Sequence, residues 1–409
     1  MNPVKYFVTS FAIGGMRPTP NPARTGKFDV SQASIQTVQP AHQESFRFDR
    51  GTCHALFAYD VGRAIDLDAV QRLITTGSQR ERIRRQKRAP RYFAFEPEPL
   101  RVTQSADPIQ IGSHATQPFV DLILYDFGAV SVTYHIPISG DLSTLVDLAH
   151  NLYENERLLA DSHRAVEQLL SLIRPAVAKS SIPEFVEDYV IYRIDPPPDL
   201  PSGWHSAYAS ILAGILRAER DPISREQIDD AMSCCVSFGP GDVAVIDWNA
   251  AFVFDDDADD VLAVLDYANV ELLEVRFLDH QLDASMDEAY RSLSQPRRRL
   301  RHLFAAPALR LRRVAELQVD SAMLFEGVNN TLKLLGDQYL ARIYRTASQR
   351  FHLPDWDASI LRKLHTLDSL YQKLSDQVSA FRMEALEWII IILIVISIAL
   401  PFIPGMPSH

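Results

Sequence analysis

The most sustained apolar pattern in the chain is a run near its C-terminal end, Trp388 to Ile403 (WIIIILIVISIALPFI), which carries no charge and one hydroxyl, Ser397. As a helix the run would reach roughly 24 Å. A further turn through Ala385 and Leu386 brings it close to the thickness of a bilayer core. The expectation is a single transmembrane helix that satisfies its own backbone groups in lipid. Trp388 would open it at the interface. Ile389, Ile390, Ile391, Ile392, Leu393, Ile394, Val395, Ile396, Ile398 and Leu400 would face the hydrocarbon. A buried core helix is the alternative. Arg362, Lys363, Lys373 and Arg382 precede the run, and no Lys or Arg follows it. That asymmetry puts the bulk of the chain on the cytoplasmic, or matrix-equivalent, side.

Just upstream the apolar positions alternate in steps of four and three: Ile360, Leu364, Leu367, Tyr371, Leu374, Val378, Phe381 and Ala385. That spacing predicts a packed helical seam. Val314, Leu317, Leu324, Val328 and Leu335 offer a facing seam, and His352-Leu353-Pro354-Asp355 a break between the two. An antiparallel helical hairpin over 297–385 is expected, feeding the span at 386–403. Two helices packed on a sheet are the alternative.

The rest of the pattern repeats itself. Residues 54–75 and 209–232 each read as an apolar strand, a polar link and an amphipathic helix capped by Asp66 or Ser224. Residues 122–152 and 242–272 each read as a hairpin and a following helix. Their turns are Asp126-Phe127-Gly128-Ala129 and Asp247-Trp248-Asn249-Ala250, with Gly or Asn at a position of positive φ. The expected fold class is therefore α+β, an internally duplicated strand-helix-hairpin-helix body. Its halves would be 46–195 and 196–290, joined at Pro196–Pro198, behind a flexible leader at 1–45. One long helix is expected over 141–173, and a strand over 185–194.

An apolar fraction of 47% over 409 residues supports folded cores. The net charge of −11 is unevenly placed. Residues 247–290 hold thirteen acids and one Arg, whereas 80–91 hold seven basic residues and one Glu. Cys53, Cys234 and Cys235 form no CxxC pair, which suits a reducing compartment.

Little here points to catalysis. Asp255-Asp256-Asp257-Ala258-Asp259-Asp260 has carboxylates for a hard cation, but no calcium-loop glycine or terminal glutamate. Its place before an apolar-periodic helix favours a charged helix start. An ion-binding sensor or enzyme stays open on this run alone. The twelve histidines form no HxH or HExxH spacing, and no GxSxG or phosphate loop occurs. No enzyme activity, cofactor, resident metal or small-molecule substrate is expected. The arginines carry more weight. Arg82, Arg84, Arg85 and Arg88 lie in one basic segment; Arg297, Arg298, Arg299 and Arg301 lie in another. Guanidinium groups suit an anionic lipid surface, RNA or a ribosome, or acidic parts of the same chain.

Leu386-Glu387-Trp388-Ile389-Ile390-Ile391, opening a terminal span behind a helical arm, resembles the Required for Meiotic nuclear Division family. The hairpin segment LILYDFGAVSVTY resembles that family's apolar strand, turn and Val-rich strand. Its Asp-Phe-Gly turn, and Tyr134-His135 in place of Trp-Gly, mark a divergent member. The resemblance implies a membrane-anchored, non-catalytic protein, one that supports membrane-associated translation or acts as an anchor and organiser. The functional expectation is a tail-anchored scaffold with a protein partner or a homo-oligomer. A coiled-coil-driven membrane-shape organiser is a further alternative.

Overall fold

The computed structural model describes residues 46–76, 83–86, 97–181, 185–196, 203–239, 242–255, 257–294, 319 and 338–399. The leader expected at 1–45 lies outside them. The described residues all fall in one compact unit.

Its centre is β1 (Arg47–Asp60), a strand apolar on both faces. Cys53, Ala55, Phe57 and Tyr59 point into one core, and Leu56 and Ala58 into another. A strand buried on both sides must be paired on both edges. β8 (Ala129–Asp141) and β10 (Val186–Ile194) flank it, both antiparallel. Outward from β8 come β7 (Phe119–Leu124), β4 (Leu100–Ser105) and β3 (Ile83–Gln86). Outward from β10 come β13 (Ala250–Phe254), β12 (Val243–Ile246) and β11 (Cys235–Val236). These nine strands form one mixed sheet. Two ribbons stand apart: β2 (Ala64–Ile65) with β9 (Val177–Ala178), and β5 (Gln110–Ile111) with β6 (His114–Ala115).

The first face of the sheet packs under α1 (Leu67–Thr76), α2 (Thr144–Leu152), α3 (Glu156–Ile173), α4 (Trp204–Ala207) and α5 (Ala209–Leu216), with α6 (Arg225–Ala231) beside them. The second packs under α7 (Asp259–Ser294) and α8 (Gln338–Arg350), with α9 (Leu353–Ala399) lying against α7. The class is mixed α+β, as expected.

Several local expectations hold. Asp66 accepts from the Ala69 N–H at 2.9 Å and Ser224 from the Gln227 N–H at 3.3 Å, so both cap as read. The two hairpins, the strand at 186–194 and the helix break before Leu353 are present. At the β7–β8 turn Gly128 has φ +108°, and a Cβ there would lie 1.8 Å from the Gly62 carbonyl oxygen. Only glycine fits.

Others fail for identifiable reasons. Residues 209–216 form α5 rather than a strand, since a short continuous apolar run has no period to separate the two. The helix expected over 141–173 breaks at Glu154, φ 51°, and Asn155 caps the restart by accepting from the Leu158 N–H at 3.0 Å. Asn249 is not in the left-handed region; in its turn the Asp247 carboxylate accepts the Trp248 N–H at 2.8 Å. The duplication does not carry through the topology either. β1 meets the second strand of its hairpin, β8, antiparallel, whereas β10 meets β13 parallel.

The helical arm is rearranged. Ile360, Leu364, Leu367 and Tyr371 are buried as the seam predicts, in one core with α7. Ser359 bonds to Asp279, Lys363 pairs with Asp279 and Asp283, and the Asp357 charge acts on Glu271. Residue numbers rise together along both helices, so α7 and α9 run parallel. Of the expected antiparallel partner, 297–352, the described part is Val319 and α8 with the turn that follows it; its seam residues Val314, Leu317, Leu324, Val328 and Leu335 lie outside the described residues. The side chains of Leu374, Val378 and Phe381 lie outside them too.

Leu367 is 0% exposed, and Leu361 on the opposite side of α9 is 48% exposed. Leu367→Ala is expected to destabilise the protein by ~2–5 kcal/mol, while Leu361→Ala changes it by less than about 0.5 kcal/mol. Urea unfolding of both variants checks this; equal midpoints would mean the seam is not packed.

Candidate functional site

Three features of the structure concentrate chemistry. The first is the far end of α9. Trp388 is 59% exposed and Ile391 43%. The residues between and beyond them, through Ile396, are exposed as well. Nine consecutive positions at 100° each cover the full circumference, so this is a helix apolar and exposed on every side. The side chains of Ile398 and Leu400 lie outside the described residues. Among the described residues no helix is long and apolar enough to cross a membrane. The described helix ends at Ala399, and the eighteen residues up to that point still include Arg382, Glu384 and Glu387.

The second feature is a polar band across the second face of the sheet, which sequence reasoning missed. On β4 the alternation is plain: Leu100 and Val102 are buried, Arg101 and Thr103 half-buried, and Ser105 exposed. On β7, Asp121 is buried while Phe119 and Ile123 are half-buried. The register lines Thr103, Asp121 and Thr133 in one row, and Ser105, Phe119, His135 and His54 in the next. Thr103 donates to one Asp121 oxygen at 2.5 Å, and the His135 Nε2 lies 3.0 Å from the other. Burial alone would raise the Asp121 carboxyl. The His135 and Thr103 hydrogen bonds, with the charge of Arg101, outweigh it and hold the group below its ordinary value. Phe119 lies 5.3 Å from the His135 ring, and His54 meets it edge-on at 5.0 Å. The His54 Nε2 is buried without a partner. Burial, then the charges of His135, Arg193 and Arg101, push its pKa down to about 3, so the ring is neutral.

The third is a set of buried acids around α7. Asp266 accepts from Tyr125 at 2.9 Å and from Ser131. Glu187 on β10 pairs with Arg276, and burial raises it to about 7. Glu271 accepts from the Tyr344 hydroxyl at 2.6 Å, and burial raises it to about 8. A second network ties the β12–β13 turn to the helices. Asp247, 0% exposed, pairs with Arg217 at 3.1 Å and Arg350 at 2.5 Å, and both arginines reach Asp230. Those hydrogen bonds, from Arg350 first, hold Asp230 near about 2.

The predicted sites fare unevenly. Arg84 and Arg85 lie on β3, an outer strand; Arg82, Arg88, Arg297, Arg298, Arg299 and Arg301 lie outside the described residues. In the acidic run Asp255 caps the Asp257 N–H at 2.9 Å, while Asp259 and Asp260 fill the first turn of α7. That is the arrangement a helix N-terminus favours. Among the described residues no group of three acidic, histidine or cysteine side chains could hold a metal ion. The polar band gave no motif because its residues are dispersed over four strands and meet only through register. Its one signal was the polar half of the alternation in LRVTQS, at 100–105.

The architecture is a mixed α+β body joined to a long C-terminal helix. A family model described as "Uncharacterized protein MJ0711, N-terminal domain" matches residues 50–260, over half of the chain, and the chain belongs to that family. It is similar to a Methanocaldococcus jannaschii protein described as "Uncharacterized protein MJ0711", with 22% identity over 236 residues, 57% of this chain and 71% of the relative. No solved structure matches. These matches support this family and not the Required for Meiotic nuclear Division family. The matched span runs from β1 to the start of α7 and excludes α8, α9 and Leu386–Ile391.

Glu271 supplies a pH test with a defined sign. Its folded pKa is raised, so the unfolded chain releases the proton near 4.5 and the folded one near 8. Its contribution to stability is fully present below 4.5 and is lost as pH rises to 8. Glu187 acts in the same sense, whereas Asp121 and Asp230 titrate at more acid pH. Glu271→Gln keeps an acceptor for Tyr344. Its melting temperature should gain on the parent's from pH 5 to 8, by several degrees for each ~1 kcal/mol. A difference independent of pH would show that Glu271 is not buried as an acid.

Proposed function

We propose that the protein is a non-catalytic, membrane-tethered scaffold. The α+β body carries the partner-binding surfaces, and α9 is the stalk that holds it to a bilayer. The single observation that carries this reading is the exposed, charge-free circumference of α9 from Trp388 onward. Transfer of that surface to lipid is favourable by roughly 25 cal/mol per Å², and water offers no comparable arrangement. The basic residues upstream of the run favour a body on the cytoplasmic or matrix-equivalent side.

Tyr371 is the last α9 residue seen buried against the body, and Trp388 lies seventeen residues further on. That is roughly 25 Å of helix. In this reading the body faces a protein or ribonucleoprotein partner on the aqueous side of the bilayer. The membrane-shape organiser is the weaker alternative, because Trp388–Ile396 contains no Gly, Ala or Ser to bring two helices close. An ion sensor built on 255–260 is weaker still, since those acids serve the start of α7.

The test is extraction. Full-length protein should remain with membranes through alkaline carbonate, and a chain ending at Ala385 should be released. Substituting Ile390, Leu393 and Ile394 with Asp should release most of the full-length protein. Retention of the truncated chain, or release of the full-length one, would remove the tether.

A further inference from the structure

The exposed apolar end of α9 has a sharp boundary on each side. Toward the body, Glu387 directly precedes Trp388 and is itself exposed. Lysine and arginine reach back to water on long apolar stems; a glutamate is too short to do so. The apolar surface therefore stops at Trp388. At the far side the described helix ends at Ala399. Pro401 follows two residues later, with no N–H for the helix and a ring that clashes with the preceding turn. Between these limits the described apolar helix, Trp388–Ala399, is about 18 Å long. Continued to Ile403, the whole charge-free run would still reach only about 24 Å. An average hydrocarbon core is roughly 30 Å thick. The shortfall is one of length, since every position from Trp388 to Ile396 is apolar and exposed.

We propose that the end of α9 selects thin bilayers over bilayers of average or greater thickness. This rests on the tethered reading and adds to it the kind of membrane the helix fits. Mismatch between helix and bilayer is not symmetric. A helix longer than the core tilts, whereas a shorter one gains nothing from tilt, which only shortens its projection. The bilayer must then thin around it, or the flanking polar groups must be drawn in. α9 is one unbroken helix from Leu353 to Ala399, so Glu387 cannot stay among the headgroups while Trp388 sinks. Drawing its carboxylate into hydrocarbon is costly. A thin core removes the conflict and leaves Trp388 at the interface, where its indole is favoured. A second copy of the helix is a poorer occupant, because side-by-side packing covers one flank and leaves the other apolar sides in water.

The experiment dilutes full-length protein from neutral detergent into vesicles of dimyristoleoyl-, dioleoyl- or dierucoylphosphatidylcholine and recovers bound protein by flotation. These lipids share a headgroup and one double bond per chain and differ in thickness. Recovery should be highest with the thin dimyristoleoyl vesicles and severalfold lower with the thick dierucoyl ones. Glu387→Leu moves the body-side boundary back to Glu384, adds about 4.5 Å of apolar helix, and should shift the optimum to dioleoyl vesicles. A variant with five leucines inserted between Ile392 and Leu393 is longer by about 7.5 Å. It should bind dierucoyl vesicles at least as well as dimyristoleoyl ones. Both changes lie beyond Tyr371, the last α9 residue seen buried against the body, so the body keeps its packing. Equal recovery of the parent from all three lipids, a parent optimum in dierucoyl vesicles, or the same order of lipids for parent and insertion variant would each overturn thin-bilayer selection and leave the tether standing. No recovery from any vesicle would overturn both.

Discussion

A nine-stranded sheet whose central strand is apolar on both faces must be covered on both, and α7 is how this chain covers the second. Because α8 and α9 then pack on its outer side, α7 is enclosed by the sheet on one flank and helices on the other. An enclosed helix has little surface on which to place charge, yet this one carries Asp266, Glu271 and Arg276 in the sequence. Each is answered across a different interface: Asp266 by Tyr125 and Ser131, Glu271 by Tyr344, Arg276 by Glu187. These bonds fix the rotation and register of α7 more narrowly than its leucines and valines do, since a one-residue slip would strand a buried carboxyl.

The path of the stalk follows from that placement. α9 runs parallel to α7 and is aligned with it by Lys363 bridging Asp279 and Asp283. The ammonium is partly desolvated, which lowers its pKa, but hydrogen bonds to both carboxylates outweigh this and raise it. At the other end of the α8–α9 unit, Arg350 is locked to Asp247 and Asp230 just before the left-handed His352 turn. The stalk is therefore clamped at its origin and along its first five turns. A load on the far end of α9 is transmitted to α7 and the β12–β13 turn.

Much of the fold was legible because it is written in local chemistry. Asp66 and Ser224 cap as their types demand, Gly128 occupies a turn no other residue fits, and the step of four and three from Ile360 to Tyr371 marks a seam that is packed. The failures share a cause of a different kind. Nothing in ALA-like runs such as ASILAGIL separates α5 from a strand, and nothing in the α9 seam names α7 as its partner, because partners are chosen by tertiary geometry. The polar band was invisible for the same reason. Arg101, Asp121, His135 and His54 are spread over eighty residues and meet only through strand register. The duplication misled in the opposite sense: similar β–turn–α grammar produced one antiparallel and one parallel pairing beside β1 and β10.

Net charge gives a poor guide to what such a chain attracts. The acids of 247–290 weigh heavily in the total of −11, but the structure spends many of them internally: Asp247 on two arginines, Asp266 and Glu271 in the core, Asp279 and Asp283 on Lys363. Charges consumed this way project little field into solvent. What reaches a partner is the remainder at each surface. On the second face of the sheet, burial first and then the charges of His135, Arg193 and Arg101 disfavour a proton on His54, against the opposing charge of Asp121. Local potential, not the formal total, determines which partner a surface admits.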